Sequence, residues 1–405
     1  MKILYFGQIC DSELLEKKKT EKNPFFIAQF MYEEALLKEL IKKTKNIEIN
    51  SIYQCNYYSK KEKFIFKRKI KDNIKYLNFV NLPFLKELNF FLHAFFRVLV
   101  WNVKNYNEKE KIILSSCHYA PVSLAVVISK KIMKLNSIMT FTDISSFTYS
   151  PTRIKKMKLY KRILMNPYLK LVNKLQNSHD GYILFSRQMN EVLNVKNNPF
   201  IVIEGIYNNN LKNVELLSMP KSKSKVIVHA GTLNREVGIQ KILDVFKQMK
   251  DSNYALWFFG KGDMDSSIHS ASKLDSRIKH FGFIEREEVN KKILQATLLI
   301  NLRNPQDIYT KYSFPSKMFE YMASGIPVFS TKLSGIPSEY YEHIYSTSNY
   351  ETNDLVKELE NVLSNDLSVL NSKGSSAKKF ILENKNSEKQ VSKILSFLND
   401  FQSER

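Results

Sequence analysis

A regular alternation of short strand-like runs with helical patterns constrains the fold of this chain more than any other feature. In the first half, periodic segments such as 26–43 and 122–133 separate runs rich in β-branched and aromatic residues. Those runs are 3–7, 47–54, 112–116, 138–143 and 182–186. Because strands joined by crossover helices form βαβ units, the pattern predicts a doubly wound parallel sheet of the α/β class.

The same alternation starts again after residue 224. Its strand-like runs are 226–230, 255–259, 280–283, 298–302 and 327–331, and its helical segments are 239–249 and 287–296. The polar segment before it can bury little apolar surface. A length of 405 residues fits two domains of about 100 to 200 residues each. We therefore predict an amino-terminal domain over 1–206, a linker over 207–224 and a second Rossmann-like domain over 225–385.

The net charge of +22 makes polyanions the expected partners, whether nucleic acid, anionic lipid or phosphorylated substrates. From Ile144 to His179 there is no acidic residue, and basic side chains alternate with apolar ones over 151–174. This stretch has two interpretations. It can lie on an anionic membrane, where each lysine contributes about 1 kcal/mol, or it can be the solvated face of a core helix.

A second segment, 84–101, is rich in aromatic residues but is interrupted by Lys86, Glu87, His93 and Arg97. A membrane-spanning helix needs about 20 nearly uncharged residues. The segment therefore predicts a core or interfacial helix and not a transmembrane one.

The amino terminus and the cysteines predict a cytoplasmic protein. Met1–Gly7 enters a strand-like run at once and lacks the features of a secretory signal peptide. Cys10, Cys55 and Cys117 lie far apart and lack metal-ligand spacing, which is typical of free thiols in a reducing compartment. We expect neither a disulfide nor a zinc site.

The segment 312–331, with the sequence YSFPSKMFEYMASGIPVFST, carries the strongest chemical signal. Ser313 and Pro315 are typical of a helix start, Gly325 of a left-handed C-cap, and Pro327 of the start of a buried strand. The amino end of this helix would point at the carboxyl edge of the sheet, where open α/β folds bind ligands.

Backbone N–H groups at the start of such a helix can bind a diphosphate. The hydroxyls of Ser313 and Ser316 and the charge of Lys317 would add to that site. Glu320 lies one turn further on, where its carboxylate can accept hydrogen bonds from both ribose hydroxyls. The structural alternative is a capped helix on which Lys317 and Glu320 are ordinary surface residues.

Three motifs resemble those of the retaining glycosyltransferases of family 4, of the kind that build bacterial capsular, exopolysaccharide or lipopolysaccharide chains. They are SFPSKMFEYMASGIPV at 313–328, AGTLNREVGI at 230–239 and FGKG at 259–262. The resemblance covers the second domain well and the first loosely. It implies the GT-B fold, in which two doubly wound Rossmann-like domains face a cleft and the last helix, here 386–405, returns to the first domain.

The resemblance also implies roles for individual residues. The family glutamate that matches Glu320 holds the donor ribose. A second family glutamate, near the donor sugar, has Tyr312 at its position here, which leaves the sugar open. UDP sugars are the commonest donors among relatives. GT-B enzymes need no metal, so the resemblance implies no cofactor and no metal role for the Asp263-Met-Asp265 word.

Two glycine turns complete the predicted donor site. Gly231, followed by Thr232, lies between a strand and a helix, where a phosphate can approach the backbone. Gly260 and Gly262 end the next strand-like run and could border the base or ribose, although a strand-ending glycine pair is common.

Relatives often have an arginine and a lysine facing the diphosphate, at the positions of Thr232 and Val237. Neither is present in this chain. Arg235 is the nearest substitute, and Arg303, just past the run 298–302, is another. For each, phosphate binding and a surface salt bridge are the two alternatives.

Four residues of the first domain are candidates for contact with the acceptor or the donor sugar. His118 follows one strand-like run and Asp143 ends another, so both would lie at a sheet edge that faces the cleft. Either could orient the donor sugar or the acceptor hydroxyl, although polar residues at strand ends are commonly structural. Glu204 and Gly205 are similar to a Glu-Gly pair that lines the cleft in related enzymes.

Together these features predict a glycosyltransferase that moves a sugar from a nucleotide-sugar donor to a lipid-linked glycan in surface polysaccharide biosynthesis, with retention. We expect it to associate peripherally with the anionic inner face of the cell membrane and not to bind nucleic acid. Two alternatives are a nucleotide-sugar epimerase of GT-B fold and a nonenzymatic basic protein that binds lipid or nucleic acid. Epimerisation without an acceptor would identify the first, and absence of donor binding the second.

Overall fold

The computed structural model describes residues 1–11, 13, 27–53, 64–68, 70–144, 159–193, 198–208 and 224–403. The chain divides into two compact units. The first unit is Met1–Ile206 together with Ser387–Arg405, and the second is Tyr207–Asn386. Most of the predicted linker 207–224, namely 209–223, lies outside the described residues.

A parallel sheet forms the centre of the first unit. The strands described in this unit are β1 (Lys2–Gly7), β2 (Ile47–Ser51), β3 (Ile65–Phe66), β4 (Ile74–Tyr76), β5 (Phe79–Val80), β6 (Lys111–Ser115), β7 (Asn136–Phe141), β8 (Gly181–Leu184) and β9 (Phe200–Val202). Seven of them form one sheet in the order β4-β2-β1-β6-β7-β8-β9, and β3 pairs with β5 in an antiparallel manner. β1 is buried along almost its whole length, as expected of a parallel strand covered on both faces.

The helices of the first unit follow the apolar periodicity of the sequence. Among the described residues up to 206, they are α1 (Ile27–Lys43), α2 (Leu85–Lys104), α3 (Ala120–Met133), α4 (Leu159–Gln176) and α5 (Met189–Val192). In α2, for example, Phe90, Ala94 and Val98 recur at four-residue spacing and are buried in the core.

The second unit has a parallel sheet of its own. Its strands are β10 (Lys225–Ala230), β11 (Tyr254–Phe259), β12 (Ile278–His280), β13 (Leu298–Asn301), β14 (Val328–Thr331) and β15 (Tyr345–Thr347), in the order β12-β11-β10-β13-β14-β15. Its helices are α6 (Ile239–Gln248), α7 (Asp265–Leu274), α8 (Arg286–Ile293), α9 (Ile308–Lys311), α10 (Lys317–Ser324), α11 (Thr352–Ser364) and α12 (Leu367–Asn384). Both sheets have the predicted α/β, Rossmann-like architecture.

The last helix, α13 (Ser387–Ser403), belongs to the first unit. Ile394 and Leu398 on this helix are buried in the core of that unit. The Gln390 side chain donates a hydrogen bond to the carbonyl oxygen of Gly205 at 2.9 Å. The chain therefore returns to its first unit after completing the second.

Some elements end earlier than the sequence predicts. The sequence predicted that Asp143 ends a strand. β7 instead ends at Phe141, so Asp143 lies two residues past it. β12 ends at His280 instead of continuing to 283, since Gly282 turns the chain with a φ of 68°.

The sequence predicted that no helix spans a membrane and that the cysteines are free thiols. Among the described residues, no helix combines the length and the apolar character needed to cross a membrane. Cys10 and Cys117 are buried free thiols, and burial raises the pKa of Cys117 to about 12. Cys55 lies outside the described residues.

Glu33, on α1, is a fully buried carboxyl group in the first unit. It accepts hydrogen bonds from the Tyr5 hydroxyl at 3.0 Å, the Gln8 backbone at 2.9 Å and the Gln29 side chain at 3.0 Å. Burial raises its pKa to about 7 from an ordinary 4.5, although these three hydrogen bonds oppose the shift.

This shift predicts a pH-dependent stability. Between the unfolded pKa and the folded pKa, the folded state binds more protons than the unfolded state, so the free energy of unfolding falls as pH rises through that window. We expect the wild type to lose about 3 kcal/mol from this group on going from mildly acidic to neutral pH. In Glu33→Gln this loss should be absent. Urea unfolding across the window would contradict the prediction if both proteins had the same pH slope.

Candidate functional site

Three loops interlock at the carboxyl edge of the second sheet. The Gly231 backbone N–H donates to Phe259 O at 2.9 Å, and Gly260 N–H donates to Gly282 O at 2.8 Å. Gly231 follows β10, Gly260 follows β11, and Gly282 lies past β12. The structure thus brings the two predicted glycine turns together.

Glycine is required in these turns for two reasons. Gly231 has a φ of +146° and Gly260 a φ of +128°, a backbone region that other residues seldom adopt. In addition, a Cβ atom on Gly260 would overlap the carbonyl oxygen of Gly231, and one on Gly262 would overlap that of Leu233. The close approach of the two loops depends on the missing side chains.

Helix α10 begins beside these turns. It starts at Lys317, with Ser316 as its N-cap, and not at Ser313 as the sequence suggested. Gly325 ends it with a φ of 78°, which confirms the predicted left-handed cap. The Tyr321 hydroxyl accepts from Ala230 N at 2.7 Å and lies 3.0 Å from Ala230 O, so it holds α10 against the end of β10.

Lys317 and Glu320 form an ion pair on the first turn of α10. Their Nζ and Oε2 atoms are 2.7 Å apart, and the two side chains are 44% and 42% exposed. A Cβ atom on Gly231 would be 3.3 Å from Lys317 Cε, so the lysine lies alongside the glycine turn. Because exposed ion pairs contribute about 0 to 1 kcal/mol, a ligand can displace this one at low cost. A helix amino terminus, a lysine and a glycine turn meet here, which is a suitable arrangement for an anion.

The pKa of the His229 side chain is affected by the positive charge of this region. Burial lowers its pKa to about 4, the carbonyl groups of Ile300 and Thr232 oppose the shift, and the charges of Arg303 and Lys317 lower the pKa further. Both cations therefore act on one point at the end of β10. His229 and Tyr321 were not singled out from the sequence, since a buried strand histidine and a helical tyrosine carry no signal without the fold.

The other predicted donor residues occupy varied positions around this edge. Thr232 and Arg235 are exposed, and the Arg235 backbone N–H donates to Asp263 Oδ1 at 3.0 Å. Tyr312 is buried, with the Lys311 ammonium 5.5 Å from its ring centre. The Ser313 hydroxyl donates to Tyr309 O at 3.0 Å.

The Asp-x-Asp word has a structural role in the described chain. Asp263 accepts the hydrogen bond from Arg235, and Asp265 Oδ1 accepts one from Gly262 N at 3.0 Å. Both carboxylates thereby order the glycine loops. No cluster of three or more metal-ligating side chains occurs among the residues described here.

The candidate residues of the first unit lie in separate settings. The His118 ring packs edge-on against the Phe141 ring, with ring centres 4.9 Å apart. Burial lowers the pKa of His118 to about 4, so the imidazole is neutral at pH 7. Asp143 is exposed. Glu204 is buried, and the Gly205 carbonyl accepts the bond from α13 described above.

Part of the second unit resembles a known protein family. Residues 218–380 match the family model described as glycosyl transferases group 1. No curated protein sequence matches the chain significantly. Several solved structures match it over its whole length.

Three of those structures illustrate the likeness. Sucrose-phosphate synthase from Thermosynechococcus elongatus is 12% identical, with 100% of both chains covered and a TM-score of 0.63. HepE from Anabaena, in complex with UDP, is 14% identical, with 99% of this chain and 100% of that one covered and a TM-score of 0.63. The lipopolysaccharide outer core galactosyltransferase WaaB is 13% identical, with 99% of both chains covered and a TM-score of 0.60. The likeness confirms the predicted GT-B fold, and the segment 218–380 that matches the group 1 model lies within the second unit.

Proposed function

We propose that this protein is a retaining glycosyltransferase of the family 4 type that transfers a sugar from a UDP-sugar to a lipid-linked glycan at a membrane, in surface polysaccharide biosynthesis. One observation carries the proposal: the Lys317–Glu320 pair stands at the amino end of α10, directly beside Gly231. The group 1 match covers all three residues.

The donor would bind with its diphosphate at the start of α10. Lys317 and the backbone N–H groups of the first turn would hold the phosphates, while Glu320 would exchange its lysine partner for the ribose hydroxyls. Ser313 and Ser316 would border the phosphates, and Tyr312 would take the place near the sugar. The bound UDP in the HepE structure supports the choice of nucleotide.

The reaction would depend mainly on electrostatics. As the bond between the anomeric carbon and the phosphate oxygen breaks, negative charge develops on the departing diphosphate, where Lys317, Arg303 and Arg235 would stabilise it without a metal. The acceptor hydroxyl would attack from the same face, and its proton would pass to the departing diphosphate oxygen. His118 and Asp143 would orient the acceptor or the donor sugar.

The distribution of charge supports a membrane acceptor. Residues 1–206 contain 35 lysines and arginines against 17 aspartates and glutamates, whereas residues 207–405 contain 27 against 23. Of the net charge of +22, +18 thus belongs to the part that would receive the acceptor. A basic surface attracts anionic lipids and phosphorylated lipid carriers alike.

Donor binding and sugar transfer test the proposal together. We would measure binding of UDP-sugars by calorimetry, and transfer of labelled sugar into lipid extract, for the wild type and Glu320→Gln. Losing charged hydrogen bonds to the ribose should weaken donor binding about tenfold to a hundredfold. Glu288→Gln, an exposed glutamate of the same unit, is the matched control and should bind as the wild type does.

The alternatives give different results in the same experiments. If no nucleotide sugar binds, the proposal falls and a nonenzymatic lipid- or nucleic-acid-binding protein replaces it. If a donor binds and its sugar is epimerised without any acceptor, the protein is an epimerase. Equally fast transfer to a free oligosaccharide would refute the proposal of a lipid-linked acceptor but not that of glycosyl transfer.

A further inference from the structure

Helix α2 presents an apolar face to solvent. Of its exposed side chains, only His93 and Lys104 are not hydrophobic. The hydrophobic ones, called here the outer stripe, are Leu85, Leu88, Leu92, Phe96, Leu99, Val100 and Val103. An ordinary surface helix carries polar and charged residues on that side.

The outer stripe is additional to the face that the core requires. On the opposite side of α2, Phe90, Ala94, Val98 and Trp101 are buried. Phe90 packs against Phe79 with ring centres 4.7 Å apart. The helix is thus fixed by its inner face, and its outer face is a contiguous apolar surface of the kind that marks an interaction site.

A strained turn places one more aromatic side chain at the start of the stripe. Phe84 has a φ of 64° and a ψ of −41°, and Leu85 N–H donates to Pro83 O at 2.8 Å, which closes a three-residue turn around it. A positive φ is uncommon for a bulky residue, and strain of this kind tends to be kept at functional sites. The Phe84 residue is 88% exposed.

The charges around the stripe favour an anionic partner. Glu87 is the single acidic residue within 85–104, and it accepts a hydrogen bond from the Tyr119 hydroxyl at 2.9 Å. Arg97 and Lys104 are partly or fully exposed on the same helix.

The neighbouring helices add to this pattern. α2 packs on α3, and α3 packs on α4. Lys131 and Ile132 are exposed on α3, and Lys170 and Leu171 are exposed on α4. The part of the basic stretch before 159 lies outside the described residues. Exposed lysines therefore accompany exposed aliphatic residues on both helices.

We infer that the outer stripe and Phe84 dock the first unit onto an anionic lipid bilayer, with α2 lying along the interface and Phe84 inserted at one end. The apolar side chains would enter the boundary between headgroups and acyl chains to a depth of about 5 to 10 Å, and the flanking cations would meet anionic headgroups. A second copy of the chain is a poorer occupant, because it would bring two equally basic surfaces together. This inference shares with the proposed function only the location of the protein at a membrane. The donor site plays no part in the docking surface.

Vesicle flotation of the full chain, without donor or acceptor, tests this docking surface. We expect binding to vesicles of phosphatidylcholine with phosphatidylglycerol, and much less to phosphatidylcholine alone. Phe96→Ser and Phe84→Ser should each lower the partition coefficient about tenfold or more, because each removes one aromatic side chain that the bilayer would cover. Leu274→Ser is the matched control, since Leu274 is 91% exposed but lies in the second unit.

The outcomes separate the docking surface from the donor site. If the wild type fails to float, or if the stripe variants float as the Leu274 control does, the docking surface is refuted even where UDP-sugar binding is intact. If the wild type sediments as a dimer that Phe96→Ser dissociates, with vesicle binding unchanged, the stripe pairs two copies instead. Binding to vesicles by a protein that binds no donor would leave the docking surface standing and refute the proposed function. Thermal unfolding of each variant at the wild-type temperature establishes that the fold is intact.

Discussion

Replacing Lys317 with alanine is expected to lower kcat for sugar transfer about a hundredfold to a thousandfold, the effect of removing one fixed group that stabilises transition-state charge. Lys317 lies beside Gly231 at the amino end of α10, where the departing diphosphate would gain negative charge. Both side chains of its ion pair with Glu320 are more than 40% exposed. The loss should therefore appear in catalysis and hardly in folding stability.

Initial-rate kinetics with the donor identified by calorimetry would measure this effect. Lys291→Ala removes an exposed lysine of α8 in the same unit and should leave kcat unchanged. Lys317→Arg retains the charge but not the shape of the ammonium group, so it should keep part of the activity. A Lys317→Ala enzyme as active as Lys291→Ala would show that the leaving group departs elsewhere.

Replacing Gly260 with alanine is expected to destabilise the second unit by about 3 kcal/mol, since overpacking and an unfavourable positive φ each cost about 1 to 3 kcal/mol. The new Cβ atom would overlap the carbonyl oxygen of Gly231, so the two glycine turns would have to separate. Donor binding should weaken together with stability, because Gly231 also lies against Lys317.

Gly282→Ala provides a control that separates strain from overlap. Gly282 also has a positive φ, +68°, but a Cβ atom there would meet nothing within 4 Å. The Gly282→Ala variant should therefore lose only about 1 kcal/mol of stability, which is the cost of the unfavourable backbone conformation. Thermal and urea unfolding of the two variants would compare these effects. If both variants lost the same free energy of unfolding, the overlap with the Gly231 carbonyl oxygen would contribute nothing to the loss at Gly260.

The fold was predictable from the sequence because its signals are local. A buried β-branched run followed by a glycine, as at the end of β10, predicts a strand and its turn without knowledge of the rest of the chain. Gly325 likewise predicts a helix end by its backbone preference alone. The same local signals predicted Gly231 and Gly260 as turns, but not that Gly260 packs against Gly231.

Features that depend on distant contacts were not predictable. Tyr321 matters because its hydroxyl reaches Ala230, which is remote in sequence. The start of α10 at Lys317 depends on tertiary packing, while serine and proline only indicate that a helix begins nearby. The outer stripe of α2 could not be distinguished from a core face, because periodicity gives the same signal for an apolar surface in either place. The roles of His118, Asp143 and Glu204 stay predictions.

The return of α13 to the first unit has a consequence for the order of folding during synthesis. The core of that unit contains Ile394 and Leu398, which leave the ribosome only after the whole second unit has been made. The second unit, by contrast, has its ends tied together, since Tyr207 N–H donates to Lys385 O at 2.8 Å. The part translated second can therefore complete its fold first, while the part translated first must wait, with its apolar sheet incompletely covered, for the last helix to arrive.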